Sequence, residues 1–377
     1  MRNKNTNNTE TIIVLKINRI NRTHCSQALV SFALLYAAES HAQSNVSLYG
    51  VLDAGLLYAS HYPNAHGANA GPLYAFNDSG VSASSFGMQG VEDLGGGMKL
   101  KFKLESGVST GTGALANSNK NEFGRQAYLA LENGYGTVAA GLQYSPFLLS
   151  VISTDPRGNS YFFGSSETLY VDNVAVTGMF NSNAITYTSP KVGGFSGSAM
   201  MALGGEAGDF AAGRQYALRL SYDAAFVHLD AAMYNGDSGG TAASTPVPST
   251  VAFAGRTVGA KFYLGSLALG VAYSLYKVAG GFSSQVYGTG LSYDVNSFWN
   301  LNAGTWYTRN GNNSADHSIL AAVGTSYSLS KRTALYAQVG FVNNHGKMTT
   351  GFIAGPALPH EVAGSTTAVS IGIRHRF

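Results

Sequence analysis

The sequence predicts an all-β fold, a sixteen-stranded antiparallel transmembrane β-barrel with short turns at one end and long loops at the other. Three observations lead there. Apolar and polar residues alternate with period two through most of the chain, which sends them to opposite faces of strands. Short and long connections alternate between those strands, as in an up-and-down barrel. No run approaches the roughly 18 consecutive apolar residues of a membrane helix.

The N-terminal segment stands apart. Residues 1–27 are polar and basic, 28–38 form a short apolar run, and Ser40-His41-Ala42 offers small residues before Gln43. That is the layout of a secretory signal peptide, with cleavage expected after Ala42 and a mature domain of 43–377. Its n-region is long for a leader, and Glu39 is unusual so near the cleavage site. The leader carries five of the 23 Lys and Arg and two of the 20 Asp and Glu, leaving 18 of each and no net charge. The overall +3 therefore belongs to the leader, and no nucleic-acid partner is expected. Cys25 leaves with it, which excludes disulfides and thiolate metal sites from the mature chain.

The first strand follows at once. Val46, Leu48, Gly50, Leu52, Ala54, Leu56 and Tyr58 share one parity, opposite Ser47, Tyr49, Val51, Asp53, Gly55 and Leu57. Comparable segments are predicted at 84–90, 98–107, 124–133, 136–143, 180–189, 194–203, 214–223, 226–235, 256–264, 266–276, 285–294, 298–309, 317–328, 334–343 and 366–377. Gly, Pro, Asn and Asp in the short connections suit tight turns. Long loops are predicted near 59–83, 108–123, 144–179, 204–213, 236–255, 277–284, 310–316 and 344–365.

The strand faces identify an interior. In Lys99-Leu100-Lys101-Phe102-Lys103-Leu104-Glu105 the apolar set alternates with four charges. A lysine on the lipid face near mid-membrane costs about 2–4 kcal/mol, so the charges are expected to face a water-filled lumen. Asp53 falls on the inward parity of the first strand. The last strand puts Val369, Ile371 and Ile373 opposite Ser370, Arg374 and Arg376, and it ends on Phe377. An open edge there would invite aggregation; pairing with the first strand closes the barrel.

Five stretches in order now resemble the general porins of Gram-negative outer membranes, in particular those of β-proteobacteria. They are Ser47–Gly55, Phe86–Gly97, Arg125–Leu131, Asn183–Pro190 and Gly372–Phe377. The resemblance implies an outer-membrane channel through which ions and small hydrophilic solutes diffuse passively. It implies a homotrimer set among outer-membrane lipid and lipopolysaccharide. It also implies a third loop, about 144–179, folded inward as a constriction. On that loop the acidic candidates are Asp155, Glu167 and Asp172, expected to face a basic wall that includes Lys101, Lys103 and Arg125, with Glu105 lining the pore on the same parity as the lysines. Phe377 is implied as the signal read by the outer-membrane insertion machinery.

The chain departs from the family where arginine is common: it has Ser85, Leu142 and Phe180 there, and Gln89 at an often basic position. Two readings follow. Either Lys101 and Lys103 restore the basic wall, or the constriction is less basic and selectivity is weak or cation-leaning. A bulge at Gly141 leaves the side taken by Leu142 open.

No chemistry beyond passage is expected. His61, His66, His228, His317, His345, His360 and His375 show no metal-ligand spacing, and no nucleophile elbow or phosphate loop appears. No cofactor, metal or catalytic residue is expected. An adhesin built on the long loops, or less readily a barrel hydrolase, is the alternative use of such a fold.

Overall fold

The computed structural model describes residues 45–116, 118, 121–158, 180–237, 252–281, 283–351 and 362–377. The leader, Glu167 and Asp172 lie outside the described residues. Seventeen strands form one antiparallel sheet that closes on itself. They are β1 (Asn45–Ala59), β2 (Leu73–Asp78), β3 (Ser85–Gly95), β4 (Met98–Gly107), β5 (Gln126–Asn133), β6 (Gly136–Tyr144), β7 (Phe180–Thr188), β8 (Phe195–Ala202) and β9 (Gln215–Ala224), then β10 (Val227–Gly236), β11 (Phe253–Leu264), β12 (Leu267–Val278), β13 (Ser283–Asn296), β14 (Trp299–Asn310), β15 (Asn313–Ser328), β16 (Thr333–His345) and β17 (Gly364–Arg376). A single helix among the described residues, α1 (Pro146–Ser153), follows β6.

Seventeen segments make sixteen barrel positions. β1 pairs with β3 over Asn45–Val51 and with β2 over Ala54–Ala59, so β2 and β3 are two halves of one strand. The predicted loop 59–83 thus contains half a strand. Leu73-Tyr74-Ala75-Phe76 does alternate, but the run is short and flanked by Gly, Pro, Asn and Asp, so its period is hard to read. Two other predicted long loops are also shorter than expected. Only 279–282 separates β12 from β13, and only 311–312 separates β14 from β15. Their polar strand ends, such as Asn313-Ser314-Ala315-Asp316, read as loop although β15 begins at Asn313, with 314–316 bulging out of its register with β14.

The terminal strand closes the ring as its alternation requires. β17 pairs with β1 from Val51 opposite Arg376 to Ala59 opposite Ala368. The main chains of Gly50 and Phe377 then exchange two hydrogen bonds of 3.1 Å. No edge is left open there. The outward parity is apolar and exposed, with Leu56 at 60%, Leu129 at 57% and Val323 at 58%. That is the face a barrel turns to lipid.

Candidate functional site

The inside of the barrel is organised by the segment that enters after β6. Ser145 caps α1 by accepting from the Leu148 N–H at 3.0 Å, and Pro146 occupies the first turn, where its missing N–H costs nothing. The helix is apolar: Phe147, Leu148 and Val151 are buried against the inner wall. The Phe147 ring lies 6.2 Å from that of Tyr234 and 5.9 Å, edge-on, from that of Tyr276.

The wall receives this segment with glycines. A Cβ on Gly255 would meet the Phe147 ring at 2.7 Å, one on Gly259 would meet Thr154 at 2.5 Å, and one on Gly270 would meet Pro156 at 2.5 Å. Gly288 and Gly290 flank the same proline, and Gly304 and Gly324 flank Arg157. All lie on inward parities of β11–β15. A glycine inside a strand weakens it and often marks a close backbone approach; here it marks the seat of the loop.

Polar anchors hold the two ends of the seat. Ser153 Oγ donates to Asp230 at 2.9 Å, and Arg219 also pairs with that fully buried carboxylate. Arg157 is 3% exposed and donates to Asn302 Oδ1 at 2.7 Å and Gln338 Oε1 at 2.8 Å. Burial lowers its pKa to about 10 and the Asp155 carboxylate opposes that, so it stays charged at neutral pH. A polar recess of about 260 Å³ lies alongside, lined by Arg157, Asn300, Asn302, Gln338 and Arg374 among others.

A second charged group forms across β4–β7. Glu105, 6% exposed, is its hub. It accepts from Tyr49 at 2.8 Å, Arg125 at 2.8 Å and Tyr144 at 3.2 Å, and Lys103 stands 3.3 Å away. Lys101 pairs with Glu132 at 2.6 Å. Arg125 also lies over the rings of Tyr144 and Phe180, at 5.8 and 5.9 Å from their centroids. Phe180 is therefore a platform for the arginine beside it. Ser85 is buried on the inward parity of β3, while Gln89 on that strand is exposed beside Lys103. The bulge at Gly141, φ 133°, shifts the register before Gln143, and Leu142 packs half-buried against the apolar cluster of Phe147 and Phe180.

Two predicted rim acids are placed differently. Asp53 points inward but is wholly buried, accepting from the N–H groups of Gly80, Val81 and Ser82 and from the Tyr336 hydroxyl at 2.7 Å. It ties down the segment between β2 and β3, which turns into the lumen. Asp155 is also wholly buried; it accepts from the Arg157 N–H at 2.8 Å. Neither offers a free charge to water, because each folds local backbone around its carboxylate. Residues that sequence reasoning passed over, Asp230, Arg219, Asn302 and Gln338, all sit on inward parities between apolar neighbours. Their alternation was legible, but the loop they hold was not.

Comparison with known proteins adds five findings. A family model described as Gram-negative porin matches residues 28–347. The chain is 28% identical over 369 residues to outer membrane porin protein 32 of Delftia acidovorans, covering 93% of this chain and 99% of that one. It is also 28% identical to an outer membrane porin protein of Bordetella pertussis, covering 93% and 100%. Among solved structures, an anion-selective porin from Comamonas acidovorans superposes with a TM-score of 0.75 at 24% identity, over 89% of this chain and all of that one. A trimer form of OmpT, an outer membrane protein of Vibrio cholerae, superposes at 0.65 and 17% identity, over 89% and 99%.

Proposed function

The chain belongs to the Gram-negative porin family, and from that premise we propose how its lumen sorts solutes. It is an outer-membrane porin, a water-filled channel for passive diffusion of ions and small hydrophilic solutes with charge selection at the constriction. Its selectivity is weak or leans toward cations. The observation that carries this is the pairing of lumen cations: Lys101 has Glu132 at 2.6 Å, Lys103 and Arg125 share Glu105 within 3.3 Å, and Arg219 holds Asp230, so these four cations leave a single positive charge. Selection by a pore wall follows the charge left over after such pairing. Ser85, Leu142 and Phe180 add none, and Glu167 and Asp172 on the same loop add negative charge. The solved anion-selective porin shares the fold, while the sign of selectivity depends on side chains. A planar bilayer with a KCl gradient tests this. A reversal potential near zero or on the cation side is expected, and a strongly anion-selective one rejects the reading.

The rest of the reading concerns assembly. The channel acts without catalysis as a homotrimer; a solved structure that shares the fold is described as a trimer form. The leader is removed after Ala42, so the N-terminal sequence of the purified protein should begin at Gln43. Phe377 serves the insertion machinery.

A further inference from the structure

The polar recess beside Arg157 faces the lumen from strands that carry none of the β4–β7 charges. Its floor is a stack of cross-strand rows on β13–β17. Ser292, Asn302, Gly324 and Gln338 stand opposite one another in the row at the level of the loop. Asn300, Ser326 and Tyr336 form the next row toward the short turns. The row beyond sets Ala334 opposite Arg374. Arg157 lies over the first row, in the space that a Gly324 side chain would take. Val81, on the segment that Asp53 ties into the lumen, supplies an apolar wall.

The arginines at the two ends are held differently. Arg157 is buried and held by Asn302 and Gln338. Arg374 is half-buried and donates to Ser82 Oγ at a long 3.3 Å, and no carboxylate pairs with it among the described residues. Asp53 is its cross-strand neighbour, but its oxygens accept from Gly80, Val81, Ser82 and Tyr336 instead. The planar fork of N–H donors on Arg374 is therefore largely left for a ligand. Between the arginines the groups are neutral. Asn302 donates to Asn300 Oδ1 at 3.0 Å, and Asn300 donates to Ser292 Oγ at 2.9 Å. That leaves the Ser292 hydroxyl proton to donate, and the Ser326 hydroxyl has no partner among the described residues.

We propose that this recess binds a small polyhydroxylated monocarboxylate, a sugar acid, with its carboxylate on Arg374 and its hydroxyls along Ser292, Asn300 and Ser326. One available guanidinium suits one carboxylate, which it can take in bidentate fashion. Hydroxyls and amides both donate and accept, as alcohol groups do. The volume of about 260 Å³ exceeds what an inorganic ion fills and lies just below the range of roughly 300–1,000 Å³ usual for small-molecule sites. Such a site delays its ligand on the short-turn side of the loop. A reversal potential averages over the whole passage, so weak overall selectivity and retention of one solute class coexist. The inference rests on the lumen being a solute passage.

Gluconate is the probe. Added at rising concentration to single channels in KCl, it should reduce the current along a saturating curve. Sorbitol keeps the hydroxyls without the carboxylate, and acetate keeps the carboxylate alone; each should need at least about tenfold more. Arg374→Gln should raise the half-saturating gluconate concentration about tenfold, and Arg374→Lys should recover part of that loss. Ser326→Leu fills the middle row from another strand and should weaken binding to a similar degree, which covers a variant at 374 that folds poorly. Calorimetry of the same proteins in detergent reads the affinity without any current. Equal affinity for gluconate and acetate, or for gluconate and sorbitol, overturns the proposal. So does equal binding by the natural chain and Arg374→Gln. A protein that conducts but binds no gluconate overturns the site and leaves the channel standing. One that binds gluconate without conducting supports the site and counts against the channel.

Discussion

Glu105 is where a single side chain decides most. It is nearly buried and is shared by Lys103 and Arg125 while accepting from two tyrosines. Glu105→Gln would free both cations, so the reversal potential in a KCl gradient should move toward anions. Removing one partner of a buried ionic group costs about 3–5 kcal/mol, and a lowered melting temperature should accompany the shift. The reverse change, Lys101→Glu with Lys103→Glu, should move the potential toward cations. It sets new acids beside Glu132 and Glu105, so it should also destabilise the wall. The inward parity of these charges was readable from Lys99 to Glu105. Their pairing was not, because Glu105 meets Arg125 and Tyr144 only once three strands lie side by side.

At the scale of elements, the inward segment and its glycine seat act together. Gly270→Leu would drive a side chain into Pro156, and overpacking of this kind costs about 1–3 kcal/mol. The expected outcome is a displaced loop, seen as altered single-channel conductance in a barrel that still assembles. Unchanged conductance would show that the loop does not need this seat. Ser153→Ala removes one anchor to Asp230 and should have a smaller effect in the same measurement, since Arg219 remains. Most strands could be read from their alternation. β2 was hidden because its pairing with β1 is interrupted by the turn that Asp53 holds inside. The path of the loop was hidden too, since a glycine in a strand announces a close approach without naming what approaches.

The whole molecule is a ring, and its seam is the pairing of β1 with β17. Phe377 finishes that seam with two main-chain hydrogen bonds to Gly50, and its ring rests where a Gly50 side chain would be. Deleting Phe377 should lower the yield of inserted protein more than it changes the conductance of channels that do form. Quantifying outer-membrane protein beside single-channel records checks this, and an unchanged yield would remove the assembly role. The apolar outer face and the paired inner one were both foreseeable from period-two patterning. Which loops rise high above the membrane was not, because the short connections at 279–282 and 311–312 join strands whose polar ends resemble loops.

The glycine seat also links two properties that would otherwise vary independently. Strands β11–β15 have surrendered side chains along the path of the loop, so the loop itself supplies the inner half of that wall. The narrowness of the passage and the firmness of the wall are therefore one piece of packing. A lineage under pressure to admit larger molecules could not simply discard the loop, because it would leave a thin, unfilled stretch of sheet. Refilling that stretch would take several simultaneous replacements, whereas trimming a single rim residue takes one. Aperture in this protein should therefore drift by changes around the rim, while the loop and its bed of glycines are inherited as a unit.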